Sequence, residues 1–354
     1  MRIGSEAQHV IGLLHGAGGN HLRFAAVQSP PRCISLKILL LIALALLLTA
    51  CCPEQELDER GWPKELVLGL VPALEVETLI DNLEPLTEHL ERELGVRVRS
   101  FVPMDYTGLV EAMGSGRADI GMLPPFSAVL ANQRYDIETV LVSTRRGEIG
   151  YPAMWFTNDP SICETEVRFV DHVCATRGRT EGPTVRLGFC EAGLEVVRGH
   201  SVAFVQPTST SGFLFPGMQL RELGMDLERD INGMFIGRHD GTPLAVARGD
   251  TRFGVAFVDI RERMCDQHPD IGERAIVFNY TPLIPNDGVQ VRPGLPPDLR
   301  EAIKQAFISL VESQAHLPRD EQVLYVLYEI DGFMSKPDGF FEPVERAALL
   351  LREQ

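Results

Sequence analysis

Apolar residues recur along this chain with two periods, and the two alternate. Leu66, Val67, Leu68, Leu70 and Val71 form a short apolar run closed by Pro72, the pattern of a buried strand. Leu79, Leu83, Leu86, Leu90 and Leu94 then recur at helical spacing, and Gly95 can stop a helix, so a helix is predicted over 78–94. A strand is predicted over 96–102, and a helix over 106–113 that ends at Gly114-Ser115-Gly116. A strand over 119–123, a helix over 125–133 and a strand over 139–143 follow. A second unit repeats the rhythm, with strands over 202–205, 233–237 and 253–258 and helices over 213–223 and 242–248. The chain returns through Ile284-Pro285-Asn286-Asp287 into an amphipathic helix over 297–312. Such alternation predicts an α/β protein with helices on both faces of its sheets. Residues 158–199 are rich in charge and cysteine and poor in apolar periodicity, so they read as a surface insertion. The expected division is a first lobe over 65–157, the insertion over 158–199, a second lobe over 200–282, and a return to the first lobe with C-terminal helices over 283–354.

The N-terminal segment changes the picture of where the protein resides. Arg32 and Lys37 precede an unbroken apolar run over 38–48, followed by Leu48-Thr49-Ala50-Cys51. The run is too short to span a bilayer comfortably and has the order of a secretory signal. A cysteine directly after Leu-Thr-Ala resembles the lipobox of bacterial lipoproteins. That resemblance implies that Cys51 becomes the first mature residue and carries lipid. Residues 1–50 are then leader and signal, and 51–64, polar and acidic, a lipidated tether. Residues 1–31 exceed the length of an ordinary signal. Gly12-Leu13-Leu14-His15-Gly16-Ala17-Gly18-Gly19 resembles a hydrolase oxyanion loop, but it lies ahead of the signal and is read as part of a disposable leader.

Charge excludes one class of partner. The chain carries 33 Lys and Arg against 49 Asp and Glu, a net of −16. Without the first fifty residues the balance is 29 against 48, a net of −19. A surface so acidic does not bind a phosphate backbone, so no nucleic-acid partner is expected. Cys163, Cys174, Cys190 and Cys265 remain after Cys51 and its neighbour Cys52, and exported chains oxidise such cysteines. Four cysteines allow three pairings, of which Cys163–Cys174 is the simplest because it closes one short loop. No Cys-x-x-Cys spacing offers a metal site, and no cofactor is called for.

The most informative chemistry is Pro207-Thr208-Ser209-Thr210-Ser211-Gly212-Phe213-Leu214-Phe215-Pro216. Four hydroxyls in a row open a predicted helix. Such a turn caps a helix. It also offers hydroxyl and amide donors, with the positive end of the helix dipole, to one point. That is a receptor for a tetrahedral oxyanion that contains no lysine.

Residues 65 to about 350 resemble the phosphate, phosphite and phosphonate-binding proteins of bacterial ABC importers. The matching pieces include Val67-Leu68-Gly69-Leu70-Val71-Pro72, Val102-Pro103-Met104-Asp105-Tyr106-Thr107-Gly108, Gly116-Arg117-Ala118-Asp119-Ile120 and Pro125-Phe126-Ser127. The hydroxyl turn, His239-Asp240, Val258-Asp259 and Ile284-Pro285-Asn286-Asp287 follow in the family's order. The resemblance implies a two-lobe periplasmic-binding-protein fold of type 2, with ligand in the inter-lobe cleft. It assigns Ser209, Thr210 and Ser211 as anion donors, His239 as a further donor, and the Tyr106 hydroxyl as a donor from the opposite lobe. Tyr151 is similarly placed, with Trp155 a competitor for that wall. Asp259 and Asp287 fit the ammonium of an aminoalkyl-phosphonate or the proton of a singly protonated oxyanion. The implied partners are a small oxyanion, permease and ATPase subunits and, through lipid, the outer face of the cell membrane, with the protein a monomer.

Two other readings use the same residues. Ser209 or Ser211, His239 and Asp259 are the residue types of a hydrolase triad. No Gly-x-Ser-x-Gly elbow is present in the mature chain, however, and a hydroxyl cluster suits holding an anion better than acyl attack. A lipoprotein that senses its ligand and reports to a membrane kinase would use the same cleft.

Overall fold

The computed structural model describes residues 56–174 and 182–352. In chain order the first stretch forms β1 (Glu65–Leu70), α1 (Val76–Leu94), β2 (Arg97–Phe101), α2 (Tyr106–Gly114), β3 (Ile120–Leu123), α3 (Pro125–Tyr135) and β4 (Glu138–Thr144). The chain passes through β5 (Gly150–Tyr151) into β6 (Ala153–Thr157), β7 (Arg168–Val173), β8 (Thr184–Phe189) and β9 (Ser201–Phe204). Next come α4 (Phe215–Glu222), β10 (Asn232–Phe235), α5 (Gly241–Arg248), β11 (Phe253–Phe257), α6 (Ile260–Met264), α7 (Ile271–Arg274) and β12 (Ile276–Tyr280). It returns by β13 (Ile284–Pro285) to β14 (Gly288–Val291), α8 (Pro297–Gln314), α9 (Val323–Tyr328), β15 (Gly332–Met334) and α10 (Glu342–Arg352).

The first sheet has the order β15-β4-β14-β3-β1-β2. Side chains alternate across a strand, and here the alternation divides the core. Leu66, Leu68 and Leu70 face the leucine stripe of α1 (Leu79, Leu83, Leu86, Leu90, Leu94) and the inner face of α8, while Val67 and Val71 turn toward α2 and α3. Gly95 closes α1 in the left-handed conformation at φ 67°. The second sheet has the order β10-β9-β11-β6-β12-β8-β7. Trp155, Val202, Phe204 and Val255 face α4, whereas Met154, Phe156 and Ala256 face α5 and α6.

Two connectors join the lobes, and they pair with each other. β5 and β13 form a two-strand ladder, Ile284 opposite Tyr151 and Pro285 opposite Gly150. Asn286, fully buried, donates to Ser143 O and Glu148 O at 2.9 Å each and pins the turn. Behind the ladder, α10 inserts Val344, Ala347 and Ala348 between Phe126 and Val129 of α3 and Leu214, Phe215 and Met218 of the second lobe. The cleft is closed by direct bonds between lobes. Phe126 N–H donates to Thr210 Oγ1 (2.9 Å), Tyr106 N–H to Gln206 Oε1 (2.9 Å), Ser127 Oγ to Thr208 O (3.1 Å) and His239 N–H to Ala73 O (3.0 Å).

Three expectations need correction. The boundary at 157 is too late, because β6 at 153–157 is an inner strand of the second sheet. Residues 158–199 are no mere insertion, since they supply β7 and β8, the last two strands of that sheet. β7 sits at the edge and is largely exposed, which erased its apolar periodicity. The disulfides are Cys163–Cys190 and Cys174–Cys265, not Cys163–Cys174. Cys163 precedes β7 and Cys174 follows it, and a six-residue strand holds its ends roughly 20 Å apart, far beyond disulfide reach. The signal run and Cys51 lie outside the described residues. Among the described residues no helix is long and apolar enough to cross a membrane.

Candidate functional site

The strand–turn–helix at 201–222 sets the floor of the cleft. β9 ends at Phe204, and Gln206 and Thr208 follow, each spent on an inter-lobe bond. A wide π-type turn over Thr210–Leu214 runs into α4. Ser209 caps it, its Oγ accepting from Gly212 N–H at 3.1 Å. The first amides of a helix have no acceptor within it, so those of Thr210 and Ser211 stay available. Gly212 is obligatory by contact, because a Cβ there would lie 2.3 Å from Val205 Cγ2.

Above this turn lies a cavity of about 70 Å³ between the lobes. A single water needs roughly 10–15 Å³ by the same measure, so the space suits one small polyatomic ion. The sequence-derived residues Tyr106, Tyr151, Ser209, Ser211, His239 and Asp287 all line it. They come from α2, both connectors, the hydroxyl turn and the loop before α5. Two others do not reach it. Thr210 is fully buried, and its Oγ1 is spent on Phe126 N–H across the lobe interface. Asp259 caps α6 and grips Arg261 with both oxygens, to Nε at 3.0 Å and Nη2 at 2.7 Å. Trp155 is also absent from the wall. Strand alternation turns it into the core under α4, where Nε1 donates to Gln219 Oε1 at 2.9 Å.

Several neutral donors converge on the cavity. His239 Nδ1 accepts from Phe257 N–H at 3.4 Å, which leaves Nε2–H as a donor. Burial, then the charge of Arg145, lowers its pKa from the ordinary 6.5 to about 3, so the ring is neutral at pH 7. Burial raises Tyr106 well above its ordinary value and Tyr151 to about 12, so both keep their phenolic protons. Tyr151 OH lies 3.4 Å from Ser211 Oγ, and the Tyr106 hydroxyl is within bonding reach of Ser209. Because Ser209 Oγ already accepts from Gly212 N–H, its own hydrogen is free to be given. Neutral O–H and N–H groups in a dry site suit an anion, since bonds to charged oxygens are the strong ones.

His239 also sets a pH dependence. The unfolded imidazole takes a proton near 6.5 and the folded one only near 3, so between these values the unfolded state binds more protons. This contribution to stability is present in full above about pH 6.5. It falls by about 1.4 kcal/mol per unit as pH drops toward 3. Denaturant unfolding of ligand-free protein from pH 7.5 to 4.5 should show that decline, and His239→Gln should flatten it. Equal slopes for the two proteins would remove His239 from the account.

Four wall residues carry no sequence motif. Arg145 follows β4, Arg263 sits in α6, and Tyr328 and Glu329 end α9. Arg145 Nη2 pairs with Asp287 at 2.6 Å, and its Nε donates to Tyr328 O at 2.8 Å. Burial is the largest influence and pulls the Arg145 pKa down, but Asp287, Tyr151 and Glu329 together outweigh it and the net shift is upward. Arg263 pairs across the cleft with Glu329 at 3.6 Å and donates to Val326 O. Arg145 stands in an Arg145-Arg146-Gly147 turn. The other three take their place from tertiary packing alone.

Comparison with known proteins agrees with this geometry. Residues 68–337 match the family described as "ABC transporter, phosphonate, periplasmic substrate-binding protein". The "Phosphate-import protein PhnD" of Mycolicibacterium smegmatis is 30% identical over 223 residues, 60% of this chain and 62% of that protein, so the match spans less than two thirds of that relative. The "Phosphonates-binding periplasmic protein" of Escherichia coli is 24% identical over 82% of this chain and 78% of its own length. Among solved structures, PhnD1 from Prochlorococcus marinus in complex with methylphosphonate superposes with a TM-score of 0.65 at 17% identity, over 82% of this chain and 99% of that one. The chain belongs to the family of periplasmic substrate-binding proteins of ABC phosphonate transporters and has their two-lobe α/β fold of type 2.

Proposed function

We propose that the protein captures a small phosphorus oxyanion between its lobes and delivers it to the permease and ATPase subunits of an ABC importer. The observation that carries this reading is the convergence of neutral donors on the cavity. Ser209, Ser211, Tyr106, Tyr151 and His239 bring hydrogens to one space from both lobes and the connectors. A ligand held by all of them favours the closed arrangement by its differential affinity. Catalysis is not part of this reading. The three residues a hydrolase would join are apart, since Asp259 is held by Arg261 and His239 Nδ1 by Phe257 N–H. In this reading the chain is exported and carries lipid at Cys51 on the outer side of the cell membrane; the family's periplasmic location supports the export.

Titration calorimetry of the processed chain with phosphate, phosphite and methylphosphonate should give saturable one-to-one binding for at least one, against a blank titration of buffer alone. Absence of heat with all three would end the reading. Cys51→Ala should abolish membrane fractionation of the processed chain, and a processed, membrane-bound variant would exclude lipid at that cysteine.

A further inference from the structure

The cavity wall also carries information about the rest of the ligand. Two carboxylates reach it, Asp287 and Glu329, and both already face a guanidinium. Asp287 Oδ1 holds Arg145 Nη2 at 2.6 Å, with the Asp287 side chain only 14% exposed. Arg145 is tied further by its Nε to Tyr328 O, so the pair is built into the wall. Glu329 faces Arg263 at 3.6 Å. Asp259, the third acid near the cleft, is turned away and chelates Arg261. Beyond the donors and these pairs the lining is apolar, with Val71, Ala73, Leu74, Phe257 and Leu327.

We infer that Arg145 is a specificity-determining residue and that the site takes phosphorus oxyanions without a cationic substituent, the phosphorus bearing only hydrogen, hydroxyl or a small alkyl group. The inference rests on the oxyanion reading above and narrows it. An ammonium entering this cavity is stripped of water and finds no carboxylate that is not already neutralised. It also meets two guanidinium groups, and like charges in a desolvated space discriminate strongly against the wrong partner. The oxyanion end gains from those guanidinium groups, because their charge adds to that of the hydroxyl turn. Asp287 therefore serves to hold Arg145 in place and does not act as a ligand for an amine.

Competition calorimetry with methylphosphonate and 2-aminoethylphosphonate, two ligands differing by one aminomethyl group, tests this on the wild-type chain. Methylphosphonate should bind at least tenfold more tightly, and equal or tighter binding of the amino compound overturns the inference. If the wild-type chain binds phosphate, phosphite or methylphosphonate but shows no such preference, only the inference fails. If it binds none of the four, the oxyanion reading fails with it. Arg145→Met releases the Asp287 carboxylate and should shift the ratio toward the amino compound by tenfold or more. Asp287→Asn frees the guanidinium and should shift the ratio the other way. Unchanged ratios in both folded variants would remove the pair from specificity.

Discussion

Replacing Ser209 and Ser211 together by alanine should weaken binding of the tightest phosphorus oxyanion by about a hundredfold or more. Hydrogen bonds to charged groups are worth roughly 1.5–3 kcal/mol each, and every 1.4 kcal/mol is about tenfold in affinity. The two hydroxyls share one ligand and neighbouring tyrosines, so the sum is taken at its lower end. The backbone amides of the turn survive the change and limit the loss. Stability should fall by about 1 kcal/mol, because Ser209 Oγ also receives Gly212 N–H as the helix cap. Thr210 is left intact for a reason the linear motif conceals: its hydroxyl fastens Phe126 N–H across the lobes, so alanine there would loosen closure as well as binding. Calorimetry on the double variant decides the matter, and wild-type affinity would refute the site.

Arg261→Met should produce the largest loss of stability, roughly 3–5 kcal/mol, by stranding a buried carboxylate. Arg261 is fully buried, and its guanidinium closes on both oxygens of Asp259. It also donates to Gly188 O at 2.9 Å and Ala275 O at 2.8 Å, stitching β8 and the end of α7 to α6. Removing it leaves the Asp259 carboxylate without its counter-charge, with only the residue-261 backbone N–H still donating to it, and takes the guanidinium donor from both carbonyls. Against a typical total of about 5–15 kcal/mol, such a loss empties much of the folded population. Denaturant unfolding is the measurement, and Arg261→Met/Asp259→Asn should recover part of the deficit because the unpaired charge is gone. A single variant within about 1 kcal/mol of wild type would show that the pair is idle.

The sequence made the fold legible wherever one face or both faces of an element were buried. The leucine stripe of α1, the run of β1 and the alternating units of both lobes follow directly from their periods. β7 escaped because an exposed edge strand has no apolar rhythm, and the disulfides escaped because loop length ignores the strand lying between two cysteines. At the site, the hydroxyl turn was legible from its composition, whereas His239, Tyr106, Tyr151 and Asp287 were singled out by the resemblance of the short motifs that contain them. Thr210 lies in the same turn and Asp259 in another of those motifs, but neither lines the cavity: Thr210 Oγ1 faces Phe126 N–H and Asp259 faces Arg261. Composition identifies a polar group in a turn but not the partner already using it. Arg145, Arg263 and the pair Tyr328-Glu329 converge from three separate places, and no window along the chain contains them all.

The strand order of the first sheet bears on how the protein is made. β14, residues 288–291, lies between β4 and β3 and, among the described residues, is the only strand joining β15 and β4 to β3, β1 and β2. Every strand of the second sheet comes from the continuous stretch 153–280. A chain delivered N-terminus first therefore has the whole second sheet in hand while the older strands of the first still wait on either side of a gap. A fragment ending at residue 282 loses the middle of the first sheet, and with it the reason for its two halves to stay together.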